Sequence, residues 1–295
     1  WVNRIEGNFL DKYKMISFIG AGKVGLALGL YFKKKGLKIG GYYSRTYKHA
    51  QVAANKTDSK AFASIEALMQ HSTMVWITAS DDALSLLANQ IAQLEIPQQI
   101  EAFVHTSGVH SSKVLQPIND KGFRTYCAHP LMAFADAEKS VEQLDGAYFS
   151  IETPVEEQTE SNYCLTRLFE KTGNNTLQID SNKKELYHCA ASVLSNYMVT
   201  LLNMAYEIFA ETGMSKSEIK KATAPLLAST LNNINNNENI SDALTGAIKR
   251  GDASTVAKHI EALERYMPNK KAAYIELGRA TMAMLQDYKL KDTLR

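Results

Sequence analysis

Residues 14–46 read KMISFIGAGKVGLALGLYFKKKGLKIGGYYSRT, and this stretch decides the fold. A short apolar run, Met15 to Ile19, enters Gly20-Ala21-Gly22-Lys23-Val24-Gly25, and apolar residues at helical spacing follow through Leu26, Leu28, Leu30 and Phe32. The pattern predicts a strand, a glycine turn and a helix. Gly20 permits the tight turn, Gly22 lets a pyrophosphate approach the backbone, and Gly25 lets the helix lie close on the strand. The helix N-terminus then offers unpaired N–H groups to the phosphates. A lone GxGxxG says little, but one that follows a strand and opens a helix is a dinucleotide-binding fingerprint.

The second strand chooses the dinucleotide. Leu37 to Tyr43 ends in Ser44-Arg45-Thr46, where a chain preferring NAD(H) carries an acid for the ribose hydroxyl. A carboxylate there repels a 2′-phosphate, whereas hydroxyls and a guanidinium bind it through charge-assisted hydrogen bonds. NADP(H) is therefore the expected cofactor. The plainer reading leaves Arg45 a solvated loop charge.

Downstream, a helix over Lys48 to Asn55, a brief strand at Lys60 to Phe62 and a helix over Ser64 to His71 are expected. Strand Thr73 to Thr78 then meets Ala79-Ser80-Asp81-Asp82 and a helix to about Leu94. Asp81 or Asp82 is read as that helix's cap, and the turn, with Thr78, Ala79 and Asp82, as lining the cofactor crevice at a strand's carboxyl end. Strand Ala102 to Val104 enters His105-Thr106-Ser107-Gly108, a helix covers Ser111 to Asp120, and strand Arg124 to Ala128 enters His129-Pro130-Leu131-Met132. His105, Thr106, Ser107 and His129 thus reach one rim, although a histidine in a loop is more often structural. Ala147 to Ile151, a helix from Val155 to Lys171 and Thr176 to Ile179 complete an alternation that predicts an α/β, doubly wound, mainly parallel sheet.

After Ser181 the β signal ends. Lys183 to Glu211 reads as one long helix stopped by Gly213. Ser217 to Leu231 continues helical with a bend at Pro225, Asn232 to Asn239 reads as an asparagine-rich loop, and helices resume over Ser254 to Tyr266 and Asn269 to Lys289. The expected organisation is an extension (1–13), a dinucleotide domain (14–180) and an all-helical domain (181–295). No repeat of solenoid period is visible.

Composition narrows the partners. The 295 residues suffice for one large domain or two ordinary ones, and a formal charge of +2 gives no case for nucleic acid. Three cysteines without a CxxC spacing fit reduced thiols in the cytoplasm better than a disulfide framework or a metal site. No apolar run approaches the roughly 20 residues that span a bilayer, so no membrane partner is expected.

Two stretches carry candidate chemistry. Lys184, His188, Ser192 and Asn196 recur at steps of four, near one helix face. Carbonyl reduction needs a proton donor, which His188 or Lys184 supplies, and groups such as Ser192 and Asn196 to hold the substrate. The bland alternative is a solvated face. In Ser241 to Asp252, Gly246 and Gly251 allow unusual backbone geometry, Arg250 is a natural carboxylate clamp, and Asp252 equally serves as a helix cap. His259 reads as structural.

GAGKVG, YYSRT, HTSG, HPLMAF, YHCAASVLSNY and LTGAIKRGD, in this order, resemble bacterial Rossmann-like oxidoreductases whose helical C-terminal domain was long of unknown function. The likeness spans nearly the whole chain from Lys14. Distant relatives are the 6-phosphogluconate dehydrogenase, pyrroline-carboxylate reductase and prephenate dehydrogenase group. The resemblance implies a Rossmann domain with bound NADP(H), a helical domain that pairs two copies, and, by analogy with alternative ketopantoate reductases, reduction of 2-dehydropantoate to pantoate. Conventional ketopantoate reductases use a Lys and an Asn four residues on, whereas here His188 follows Lys184 at that spacing. Ser107, Asn196 or Arg250 would then orient the carboxylate. An imine or cyclohexadienyl acid substrate, or a non-catalytic NADP(H) sensor, are the alternatives.

Overall fold

The structure, a computed structural model, describes residues 15–152 and 163–294. The extension 1–13 and the expected helix start at Val155 lie outside these residues. The chain gathers into two compact units, divided between Ser195 and Asn196.

In the first unit, strands β1 (Ile16–Ile19), β2 (Ile39–Tyr43), β3 (Lys60–Phe62), β4 (Met74–Ile77), β5 (Ala102–His105), β6 (Arg124–Pro130), β7 (Tyr148–Glu152) and β8 (Asn175–Gln178) form one sheet. Their order is β3-β2-β1-β4-β5-β6-β7-β8. Neighbours run parallel except β6 and β7. The central strands ISFI, MVWI and AFVH are buried throughout, as strands covered on both faces must be. One face packs aromatic rings, with Phe18 on Tyr42 at 5.1 Å, Phe32 against Trp76 at 5.3 Å and Phe149 on Phe169 at 4.1 Å between centroids. The other face is mainly aliphatic, with Ile19, Ile77, Leu84, Phe103 and Leu115.

Three expectations for this unit change. Ser111 to Asp120 is not one helix but a 3-10 turn, Ser112–Leu115, followed by helix Gln116–Asn119. Pro117 has no N–H to donate to the carbonyl four residues back, which separates the two pieces. Strand β6 runs two residues beyond Ala128, because His129 pairs with Ser150 and Pro130 with Phe149 on antiparallel β7. Ser80, not Asp81 or Asp82, is the N-cap of helix Asp81–Gln93, and the two acids sit in its first turn, where they favour the helix dipole.

The expected Lys183–Glu211 helix is also broken. Helix Lys184–Ser192 passes into a π turn, Val193–Tyr197, and helix Met198–Glu211 follows. The π turn rotates the side-chain register, so the steps of four do not carry from Ser192 to Asn196.

In the second unit, Gly213 (φ +91°) closes helix Met198–Glu211. Helix Lys216–Asn236 opens with a reciprocal Ser215–Glu218 capping box and contains Pro225. It runs through four of the asparagines assigned to a loop, because extending an established helix fixes one residue per hydrogen bond and outweighs asparagine's weak propensity. The irregular segment starts at Asn237. Helices Ala247–Arg250, Ala253–Tyr266 and Pro268–Leu285 complete the unit around Val256, Met282, Leu290 and Leu294. Gly246 (φ +93°) and Gly251 (φ +70°) adopt the backbone their sequence suggested, and Asp252 caps the following helix by accepting from the Thr255 amide at 3.1 Å. The last helix stops at Leu285 rather than Lys289, because Gln286 turns left-handed (φ +52°).

Candidate active site

The glycine turn lies where the strand order reverses, between β1 and β4, the crevice position of open α/β sheets. Gly20 has φ +115°, and a Cβ there would stand 2.7 Å from the Thr78 backbone carbonyl. At Gly25 a Cβ would overlap the Gly20 carbonyl oxygen and Thr78 Oγ1, while at Gly22 it would meet nothing within 4 Å. Two glycines are therefore closed in by protein, and the middle one faces open space. Thr78 pins the turn, its hydroxyl donating to the Gly20 carbonyl at 2.8 Å and its amide to Ile19 at 2.9 Å. Helix Lys23–Lys34 starts at this turn with no side-chain cap and no acid in its first turn. Its leading N–H groups remain available for an anion. Ala21, Lys23 and Val24 stand at this end, and Ala79 and Asp82 follow β4, Ala79 half-buried and Asp82 exposed. Ser44, Arg45 and Thr46 follow β2, with Arg45 and Thr46 exposed.

A second set of polar groups crosses β5, β6 and β7. Register places His105 beside Cys127 and Cys127 beside Glu152, with His129 beside Ser150 in the next cross-strand row. Alternation puts these side chains on one face. His105, Cys127, Ser150 and Glu152 are all buried. Lys184, the first residue of its helix, is 1% exposed; among the described residues no group within hydrogen-bond distance accepts from its ammonium, which lies 5.5 Å from the Tyr187 ring centroid and near enough to the Cys127 thiol to act on it. Glu152 accepts from the Ser112 amide (3.1 Å) and hydroxyl (3.2 Å) through Oε1, while Oε2 has no partner among the described residues.

One helical turn beyond Lys184 stand Tyr187 and His188. Tyr187 Oη lies 2.9 Å from His129 Nδ1, and the His129 and His188 rings meet edge-on at 5.9 Å. Both imidazoles converge on Gly108, where a Cβ would stand 2.9 Å from His129 Nε2 and overlap His188 Nδ1. His188 Nδ1 is buried without a partner among the described residues. Thr106 is half-buried, and the Ser107 hydroxyl accepts from the amides of Val109 (3.2 Å) and His110 (3.0 Å), which shapes the loop. Lys184, His188, His129 and Ser107 thus belong to one neighbourhood. Ser192 is half-buried farther along the same helix, while Asn196 and Arg250 belong to the second unit, where both are exposed. His259 sits beside Tyr274 there, Nδ1 to Oη 2.8 Å.

Burial, reinforced by the Lys184 charge, pulls His105 down to about 3 and His129 down to about 4. Burial raises Glu152 and Tyr187 and pushes the Cys127 thiol up to about 11. Both lowered histidines are neutral in the fold at pH 7, but in the unfolded chain they titrate near 6.5. Between those values the unfolded chain binds more protons, so their stabilisation is complete above 6.5 and fades as pH falls towards 3. The urea midpoint at pH 5 is expected below that at pH 7, reflecting an unfolding free energy lower by at most about 2 kcal/mol per imidazole. Equal midpoints would contradict this.

Tyr187, Gly108, Cys127 and Glu152 are site members that the sequence reading did not select. Alternation along β6 already puts Thr125, Cys127 and His129 on one face, and Tyr187 adjoins His188. Among the described residues, no group of three His, Cys, Asp or Glu is placed to hold a metal ion.

Residues 6–130 match the Rossmann-like domain model, and residues 147–281 match a domain of unknown function (DUF2520). The chain therefore joins a Rossmann-like domain to a DUF2520 domain. No curated protein matches it. It is similar in structure to a provisionally assigned NADP oxidoreductase from Bacteroides fragilis, with a TM-score of 0.75, 21% identity and coverage of 92% of this chain and 98% of that one. A pyrroline-5-carboxylate reductase from Coxiella burnetii has a TM-score of 0.59 and 11% identity over 96% and 98% of the two chains. A reductive aminase from Aspergillus terreus, in complex with NADPH and ethyl-5-oxohexanoate, has a TM-score of 0.58 and 14% identity over 93% and 88%. At these identities the likeness establishes the fold.

Proposed function

We propose that the chain is an NADP(H)-dependent oxidoreductase that reduces a small 2-oxo acid, with 2-dehydropantoate to pantoate the foremost reaction. The observation that carries the reading is the turn in which Gly22 alone of the three fingerprint glycines faces open space. That is the cradle a pyrophosphate requires, and the solved structures sharing the fold include one that holds NADPH.

Bound NADPH supplies the hydride. The amides from Gly22 onward hold the pyrophosphate, and Ser44, Arg45 and Thr46 hold the 2′-phosphate. His188, helped by the neighbouring imidazole of His129, gives the proton that the reduced carbonyl oxygen needs. The buried Lys184 ammonium favours negative charge in this neighbourhood. For the substrate carboxylate we propose the Ser107 hydroxyl, whose oxygen accepts from the Val109 and His110 amides and whose hydrogen remains to donate. A second copy would cover helix Met198–Glu211, which has no buried residue despite its apolar content. The free thiols of Cys127 and Cys189 suit a reducing cytoplasm.

The test is oxidation of NADPH, with NADH alongside, on mixing the protein with 2-dehydropantoate and other 2-oxo acids. Turnover with 2-dehydropantoate and NADPH supports the reading. NADPH binding with turnover only on imines moves the assignment to the chemistry of the pyrroline-carboxylate reductase and reductive aminase neighbours. Binding with no turnover favours a sensor. Arg45→Glu is expected to weaken NADPH about 30-fold and NADH little, since it replaces a charge-assisted contact by repulsion. Equal effects on both would remove Arg45 from the 2′-phosphate site.

A further inference from the structure

We infer that His129 faces the reacting carbonyl as a neutral Nε2–H donor, and that Tyr187 is the positioning residue that holds it in this tautomer. The inference rests on the reductase reading but names a donor and a device beyond it.

The argument starts from the two ends of the ring. Nδ1 of His129 is 2.9 Å from Tyr187 Oη, and Nε2 lies beside Gly108, whose lack of a side chain admits the His129 and His188 rings. A hydroxyl can donate or accept, so the pair alone does not choose a tautomer. If Nδ1 carried the hydrogen, Tyr187 would accept from it and would have to pass its own proton to Ser150, the hydroxyl that as a donor holds the phenol down. With Nδ1 bare, Tyr187 donates to it, and the ring hydrogen sits on Nε2, beside Gly108. Only the second arrangement turns a donor towards a substrate oxygen. The mutual edge-on packing of the His129 and Tyr187 rings, with centroids 5.6 Å apart, fixes the ring plane.

Neutrality is enforced from several sides. Lys184 and His188 face His129 from the helix that carries Tyr187, while Asp81 acts from the start of helix Asp81–Gln93 in the opposite sense. Cys127 lies two residues away on the same strand face, and His105 and Glu152 share that face on the flanking strands. Burial and the Lys184 ammonium outweigh Asp81, so the imidazole stays uncharged. A neutral imidazole of fixed tautomer donates one defined hydrogen bond and presents no cation to the incoming hydride donor.

Histidine 15N–1H correlation spectra of the full-length protein read the tautomer without requiring turnover. His129 is expected to show a bare Nδ1 and a protonated Nε2 in the wild type, and a shift towards protonated Nδ1 in Tyr187→Phe. A protonated Nδ1 in the wild type, or an unchanged tautomer in Tyr187→Phe, would overturn the inference. In the turnover assay, Tyr187→Phe is expected to lower kcat about tenfold with NADPH affinity unchanged. His129→Gln, whose amide can donate from near the position of Nε2, should retain part of the activity and make a further Tyr187→Phe change silent. Additive losses in the double variant would mean that Tyr187 acts apart from His129. If no substrate is found, the tautomer spectra still decide the inference while the reductase reading fails separately.

Discussion

Gly22→Asp is expected to fold as stably as the wild type and to bind NADPH at least about 100-fold more weakly, a loss of about 3 kcal/mol. A Cβ at this position meets nothing within 4 Å, so the side chain costs no contact. Helix Lys23–Lys34 begins here without a side-chain cap, and an aspartate at an N-cap satisfies orphan amides. The substitution therefore favours the helix while setting a carboxylate where the pyrophosphate must lie. Gly25→Ala behaves in the opposite way. Its methyl would overlap the Gly20 carbonyl and the Thr78 hydroxyl, which are bonded to each other at 2.8 Å, so the turn must open. A loss of about 1 to 3 kcal/mol in folding stability is expected, along with cofactor binding. Titration with NADPH and a urea midpoint for each variant separate the two effects. Wild-type NADPH affinity in Gly22→Asp would remove the turn from the phosphate site.

Gly108→Ala is expected to lower kcat by about 100-fold or more while NADPH still binds, a loss of the size that removing a general acid produces. The added methyl would overlap His188 Nδ1 and stand 2.9 Å from His129 Nε2. Neither ring has an easy retreat. His129 is tied to Tyr187, and His188 is fixed on the helix that begins at the buried Lys184. Stopped-flow turnover beside a binding titration checks this. An unchanged kcat would show that these imidazoles do not act on the substrate.

The glycine turn was legible because its chemistry is local: strand, turn and helix lie within 33 consecutive residues whose spacing carries the geometry. The buried polar row was not. His105 meets Cys127 and Glu152 only through the register of β5, β6 and β7, and β7 reverses direction, which no local pattern announces. Lys184 shows the same limit. Its spacing with His188 marks it as a candidate donor, but nothing local shows that it is almost completely buried and, among the described residues, without an acceptor. Tyr187 adjoins the candidate His188, but its role comes from a hydroxyl that meets His129 on a strand 58 positions earlier. The asparagines after Leu231 misled because propensity is summed over a helix, and the capping box at Ser215 had already started one.

The central claim is that residues 20–25 and 44–46 bind a phosphorylated nicotinamide dinucleotide. Titrating the protein with NADPH and with NADH, and following the nicotinamide fluorescence, tests it most directly. Saturable binding with NADPH at least about tenfold tighter than NADH is predicted, a preference of about 1.4 kcal/mol from the 2′-phosphate. Tighter binding of NADH, or no binding of either, would contradict it.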